Sequence, residues 1–237
     1  MTQCKNCQSE VTQQYCPNCG QPASLKRIDG HYIVHEIEHL LHFEKGLLYT
    51  IRELVKNPGQ TVRRFISEDR SRLVKPVMFI IITSLIYTLV NHYFHLEDGY
   101  VNYETSVPNT TGQIFKWIQD HYGYSNMLMG LFIALWVKFF FRKSAYNFYE
   151  ILILLCFVMG VGMLIFALFA LLEQLTHTKL MQVASIIGFV YIAWAIGQFF
   201  GKARAINFVK AFAAYILGMI TFSLAAILLG TFIDMLK

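Results

Sequence analysis

The chain is short of charge. Asp, Glu, Lys and Arg make up 15% of its 237 residues and apolar side chains 55%, where a soluble domain carries about a quarter charged. The deficit is uneven. Residues 1–75 lack any apolar run longer than a few residues, which excludes a signal-peptide reading there and leaves the N-terminus expected on the side where it is made. From Pro76 onward charge nearly vanishes over 76–96, 151–172, 180–201 and 211–233, each long enough to meet the ~20 residues that a hydrocarbon core demands. A fifth stretch, 121–141, carries Lys138 near one end, where a lysine can snorkel to the interface.

The span centres also lack ionisable residues, and ion- or proton-coupled transport needs such groups at mid-bilayer. Their polar content is limited to residues such as Thr83, Ser84, Gln182, Ser185, Gln198, Thr221 and Ser223, expected to bond across helices or to their own backbone. Gly160, Gly162, Gly188 and the Gly197-Gln-Phe-Phe-Gly201 pattern permit close helix approach. Packing within the chain is the first use of that pattern and a homo-oligomer the second. Cys156 sits in an apolar stretch and reads as inert packing.

What charge there is follows a side rule. With five spans, residues 1–75, 138–150 and 201–210 share one side. Of the twenty Lys and Arg, all but Lys116, Lys179 and Lys237 fall there, seventeen against three. Glu97, Asp98, Glu104, Asp120, Glu173 and Asp234 fall on the other. A lysine and arginine bias of this kind orients a membrane protein with the N-terminus in the cytoplasm and, here, the C-terminus outside. The net charge of +5 thus answers to a membrane rather than to nucleic acid. His92, His95, His121 and His177 lie on the outer side, and the outer stretch 97–120 holds Ile114, Phe115, Trp117 and Ile118 as a short interfacial helix.

Cysteine is concentrated at the start. Cys4-Lys-Asn-Cys7 and Cys16-Pro-Asn-Cys19-Gly20 form two CxxC pairs eight residues apart, each able to turn two thiolates toward one ion. Four such ligands predict one Zn2+ per chain. They leave no open position for water or substrate, so the ion is structural and replaces a core this segment is too short to build. Tyr15 is the sole aromatic of residues 1–25. Single-strand binders need a stacking platform, so the expected partner of the ribbon is a protein.

Between ribbon and membrane, Ile33, Ile37, Leu40, Leu41, Leu47, Leu48, Ile51, Leu54 and Val55 recur at three- and four-residue spacing, the mark of one or two amphipathic helices. Asn57-Pro58 supplies a cap and a first-turn proline for a further helix carrying Val62, Phe65 and Ile66. Arg63, Arg64, Arg70, Arg72 and Lys75 form a basic collar suited to anionic headgroups. His35-Glu36-Ile37-Glu38-His39 fits H-E-x-x-H, which places two imidazoles on one helix face beside a general base. His31 and His42 extend this stripe, with His42 or Glu44 as a third ligand. A solvated polar face explains the same residues without metal.

The order and spacing of CxxC-x8-CPNCGQ, HEIEHLLHFEKGLLYTIRELVKNPGQTVRRFI and SRLVKPVMFII resemble the bacterial membrane proteins of domain of unknown function 3667 over residues 4–95. Where that family often has Gly-Lys-Arg before the first span, this chain has Glu68-Asp69-Arg70. The resemblance implies a bacterial inner membrane and no activity. The membrane portion looks like Yip-type five-span proteins in its Asn147-Phe-Tyr-Glu-Ile151 and Gly201-Lys-Ala-Arg-Ala-Ile-Asn207 turns, which implies a membrane-organising role.

The expected architecture is an all-α polytopic membrane protein of about five transmembrane helices. A zinc ribbon over 1–25 and an amphipathic linker over 26–75 precede the membrane domain over 76–237. The expected function is that of a non-enzymatic adaptor, organiser or recruiter at the cytoplasmic leaflet. A transporter or scramblase of lipid or small apolar solutes, and a membrane-tethered metalloprotease using Glu36, His35 and His39, are the alternatives.

Overall fold

Apolar residues at helical spacing build nearly all of the described chain. The computed structural model describes residues 2–3, 9–11, 15, 17–18, 46–68, 72–94, 110–201 and 204–236. They divide into two units, Met1–Glu44 and Lys45–Lys237. In the first, strands β1 (Thr2–Gln3) and β2 (Glu10–Val11) pair antiparallel, with Thr2 opposite Val11. The Asn18 amide there donates to Ser9 Oγ at 3.2 Å.

The second unit is all helix among its described residues. Two short helices, α1 (Gly46–Lys56) and α2 (Pro58–Ser67), lead into α3 (Pro76–Phe94). Then come α4 (Thr110–Asp120), α5 (Tyr122–Phe140), α6 (Phe148–Thr176), α7 (Met181–Phe200) and α8 (Ala205–Leu236). Five of these, α3 and α5 to α8, are long and apolar enough to cross a membrane. The molecule is a multi-pass membrane protein.

Two of the spans run longer than the apolar stretches alone suggest. Helix α6 has 29 residues and α8 has 32, about 44 and 48 Å at 1.5 Å per residue, against a hydrocarbon core of about 30 Å. Capping extends α6. Asn147 accepts from the Glu150 amide at 2.9 Å while the Glu150 carboxylate accepts from the Asn147 amide at 2.7 Å, a capping box that starts the helix three residues before its first apolar turn.

Helix α6 is the centre of the bundle, touched by α1, α2, α3, α5 and α7. Lipid offers no hydrophobic drive between helices, so close fit must hold them together. Against α6, α3 buries Phe79, Ile80, Thr83, Ser84 and Tyr87. Phe79 meets the Phe157 ring at 5.7 Å and Ser84 Oγ donates to Met163 Sδ at 3.1 Å. The opposite face of α3, with Val77, Ile81, Leu85 and Leu89, is exposed, as a lipid-facing surface should be.

The short apolar run in the outer stretch is a helix, α4, packed on α5 and α8. Its first turn is held from α8. The Asp234 carboxylate accepts from the Thr110 amide at 3.0 and 3.1 Å and from the Thr110 hydroxyl, filling orphan donors with an anion at the positive end of the helix.

Candidate functional site

Helices α1 and α2 read as an amphipathic linker in sequence, and the structure packs both against α6, with α2 also on α7. Leu54 and Val62 are fully buried and Phe65 nearly so. Phe65 meets Phe157 of α6 edge-on at 5.3 Å. One part of the predicted stripe differs: Leu48, at 82% exposed, and Val55, at 53%, face away from the bundle. At the start of α2, Pro58 takes the first helical position, where its missing N–H costs nothing. The expected cap from Asn57 does not form through its side chain.

The polar groups of that helix start are satisfied by α7 instead. The Gly59 amide donates to Gln198 Oε1 at 2.7 Å, so one of the orphan donors of α2 ends on the last turn of α7. The backbones come close enough that a Cβ at position 59 would lie 2.5 Å from the Gln198 carbonyl carbon, a place only glycine fits. In return, Arg63 Nη1 donates to the Phe199 carbonyl at 3.3 Å. Tyr191 Oη donates to the Leu54 carbonyl at 3.2 Å, and Thr50 Oγ1 accepts from the Val74 amide at 3.1 Å. Four bonds thus tie the α1–α2 module to α7 and to the start of α3. Of the predicted basic collar, Arg63 is half-buried in this joint while Arg64, Arg72 and Lys75 stay exposed.

At the same end, the turns between α5 and α6 and between α7 and α8 meet. Phe141 stacks on Phe200 at 3.8 Å, and Tyr146 packs on Phe199 at 4.3 Å. Lys138 donates to the Tyr146 carbonyl at 2.6 Å, so this lysine ties down the turn. Gly201 closes α7 at φ 130°, and Asn207 Nδ2 donates to the Phe200 and Gly201 carbonyls, both at 3.2 Å. These contacts leave a cavity of about 650 Å3 whose cationic lining is Arg142, Lys143, Arg204 and Lys210. A second cavity, of about 200 Å3, lies between α4 and the spans and is lined by Phe115, Phe166, Tyr215 and Phe222 with Ser125 and Asn126. The Ser125 hydroxyl is buried without a partner.

Every residue the sequence nominates for chemistry lies outside the described residues: Cys4, Cys7, Cys16 and Cys19, and His31, His35, Glu36, His39 and His42 with them. The features the structure adds are Gln198 and Gly59 as a joint and the four cations as one cluster. All four cations were visible in sequence as markers of membrane side, and the signal that could have found the cluster is that both short turns on one side are basic.

No curated protein and no solved structure matches the chain. Residues 44–88 match the profile of the family described as protein of unknown function, DUF3667. That stretch comprises α1, α2 and most of α3, the docked module with the span it feeds. The match covers about a fifth of the chain, so it is residues 44–88 that are similar to the DUF3667 family of proteins of unknown function.

Proposed function

We propose that the protein is a non-enzymatic adaptor of the bacterial inner membrane, with its N-terminus in the cytoplasm and its C-terminus outside. A zinc ribbon on Cys4, Cys7, Cys16 and Cys19, holding one structural Zn2+, recruits a protein partner to the cytoplasmic leaflet. The observation that carries this reading is the joint between α2 and α7. It fixes the segment that leaves the membrane domain toward residues 1–44 through Gly59, Arg63 and Gln198, as a fixed mount for a recruiting module requires. Among the described residues, the middle turns of the five spans hold no Asp, Glu, Lys or Arg, which supports a mount rather than an ion-coupled transporter.

The test is affinity recovery from solubilised native membranes with the whole chain and with residues 1–25 deleted. The expected result is a defined set of partners that disappears with the deletion and with Cys4→Ser/Cys7→Ser. Recovery of the same partners after deletion would sink it.

The cavity at Ser125 favours one second reading, passage of a lipid chain or small apolar solute through the helix bundle. Its lining is almost wholly apolar with an unpartnered hydroxyl, a combination suited to an amphiphile. Vesicles reconstituted with the protein and showing no lipid scrambling or solute flux above protein-free vesicles would remove that reading.

A further inference from the structure

The four cations at the docking end come from two different turns. Arg142 and Lys143 follow α5, while Arg204 and Lys210 lead into and lie on the first turns of α8. The side chains lining this cavity include no Asp or Glu, and among the described residues none of the four makes an ion pair. Like charges gathered around one hollow repel one another, and an anion in the hollow removes that cost. Lys210 is already placed, with Nζ 5.9 Å from the centre of the Phe141 ring.

Three further features set the kind of anion. Ser144 Oγ on the wall is buried and has no hydrogen-bond partner, so a donor is held ready where a bound oxygen would satisfy it. Arginine from each turn offers the planar fork that matches phosphate oxygens. The hollow also opens onto apolar surface. Leu128, Leu131, Leu135 and Phe139 run along one exposed face of α5, and Phe139 itself lines the cavity. A ligand that sets a phosphate among the cations and an acyl chain along that stripe uses both surfaces.

We propose that this cavity is a binding site for a phosphate group, presented as the headgroup of an anionic lipid. Basic pockets between membrane helices take such headgroups by the same charge logic. The site uses no residue of the ribbon, so recruitment can fail while headgroup binding persists, and the reverse.

The test uses the full chain in a neutral detergent, with unfolding followed by tryptophan fluorescence and bound lipid counted by native mass spectrometry. The probes are phosphatidylglycerol, phosphatidylcholine and inorganic phosphate. The site predicts a saturable rise in Tm and retained lipid adducts with phosphatidylglycerol, and neither with phosphatidylcholine. Arg142→Gln/Arg204→Gln and, as a second pair, Lys143→Gln/Lys210→Gln should lose both effects. Lys116→Gln/Lys179→Gln, at the opposite end, should keep them. A rise of equal size with inorganic phosphate at matched concentration would support the site and assign its natural ligand to soluble phosphates. Equal effects of the two lipids, no effect of either anion, or full retention in both pairs of variants would overturn the proposal.

Discussion

A methyl group at Gly59 has no room, since a Cβ there would also lie 2.8 Å from the Phe199 Cα and a backbone cannot yield as a flexible side chain can. Gly59→Ala should therefore cost about 1–3 kcal/mol, the range for overpacking a close contact, seen as a lower Tm of the purified protein. An unchanged Tm would mean that α2 does not meet α7 as described. Gln198→Ala removes the acceptor of the Gly59 amide and should cost roughly 1–3 kcal/mol, because it leaves a buried donor unmade. The kind of role Gln198 plays was legible, since polar residues in spans are expected to bond across helices. Thr83, Ser185 and Thr221 likewise bond to carbonyls of their own helix, as expected. The partner of Gln198 was not legible, because it lies 139 residues earlier, and no local pattern encodes a contact at that separation.

At the scale of elements, charge-free length located four of the five spans and the fifth was found by setting Lys138 at its end, while the ends of the helices depended on polar contacts. The capping box at Asn147 and Glu150 is local, and its N-x-x-E spacing was present in the sequence. The Asp234 bonds to α4 cross 124 residues, and spacing could not supply them. Asp234→Ala should loosen α4 by about 1–2 kcal/mol, the usual cost of losing an N-terminal cap. Hydrogen exchange over residues 110–120 should speed up while α6 stays protected, and unaltered exchange there would contradict the cap. The amphipathic period of α1 and α2 was also legible, but a period fixes only which residues share a face. It cannot say whether that face meets lipid headgroups or, as found for Leu54, Val62 and Phe65, the side of a helix bundle.

For the whole molecule, the charge pattern follows the fold. Among the described residues, Arg52, Lys56, Arg63, Arg64, Arg72, Lys75, Lys138, Arg142, Lys143, Arg204 and Lys210 lie at the docking end, against Lys116 and Lys179 at the other. If that end faces the cytoplasm, a Lys179→Cys thiol should react with an impermeant maleimide added to intact spheroplasts, and a Lys143→Cys thiol only after permeabilisation. The reverse result would invert the proposed orientation. Composition and spacing reached the helical, five-span architecture, while the four cysteines of the expected ribbon lie outside the described residues. The basic cavity stayed hidden because its walls are two turns that only the packing of Phe141 on Phe200 brings together.

As proposed, the protein is an adaptor with one closed structural metal site and no catalytic one. Metal content per chain, by mass spectrometry on the detergent-purified protein, tests it most directly when Cys4→Ser/Cys7→Ser and His35→Ala/His39→Ala are measured beside the unaltered chain. A single zinc is expected, lost with the cysteines and kept when the histidines are replaced. A second metal that disappears with His35 and His39 would contradict it and make Glu36 a candidate general base.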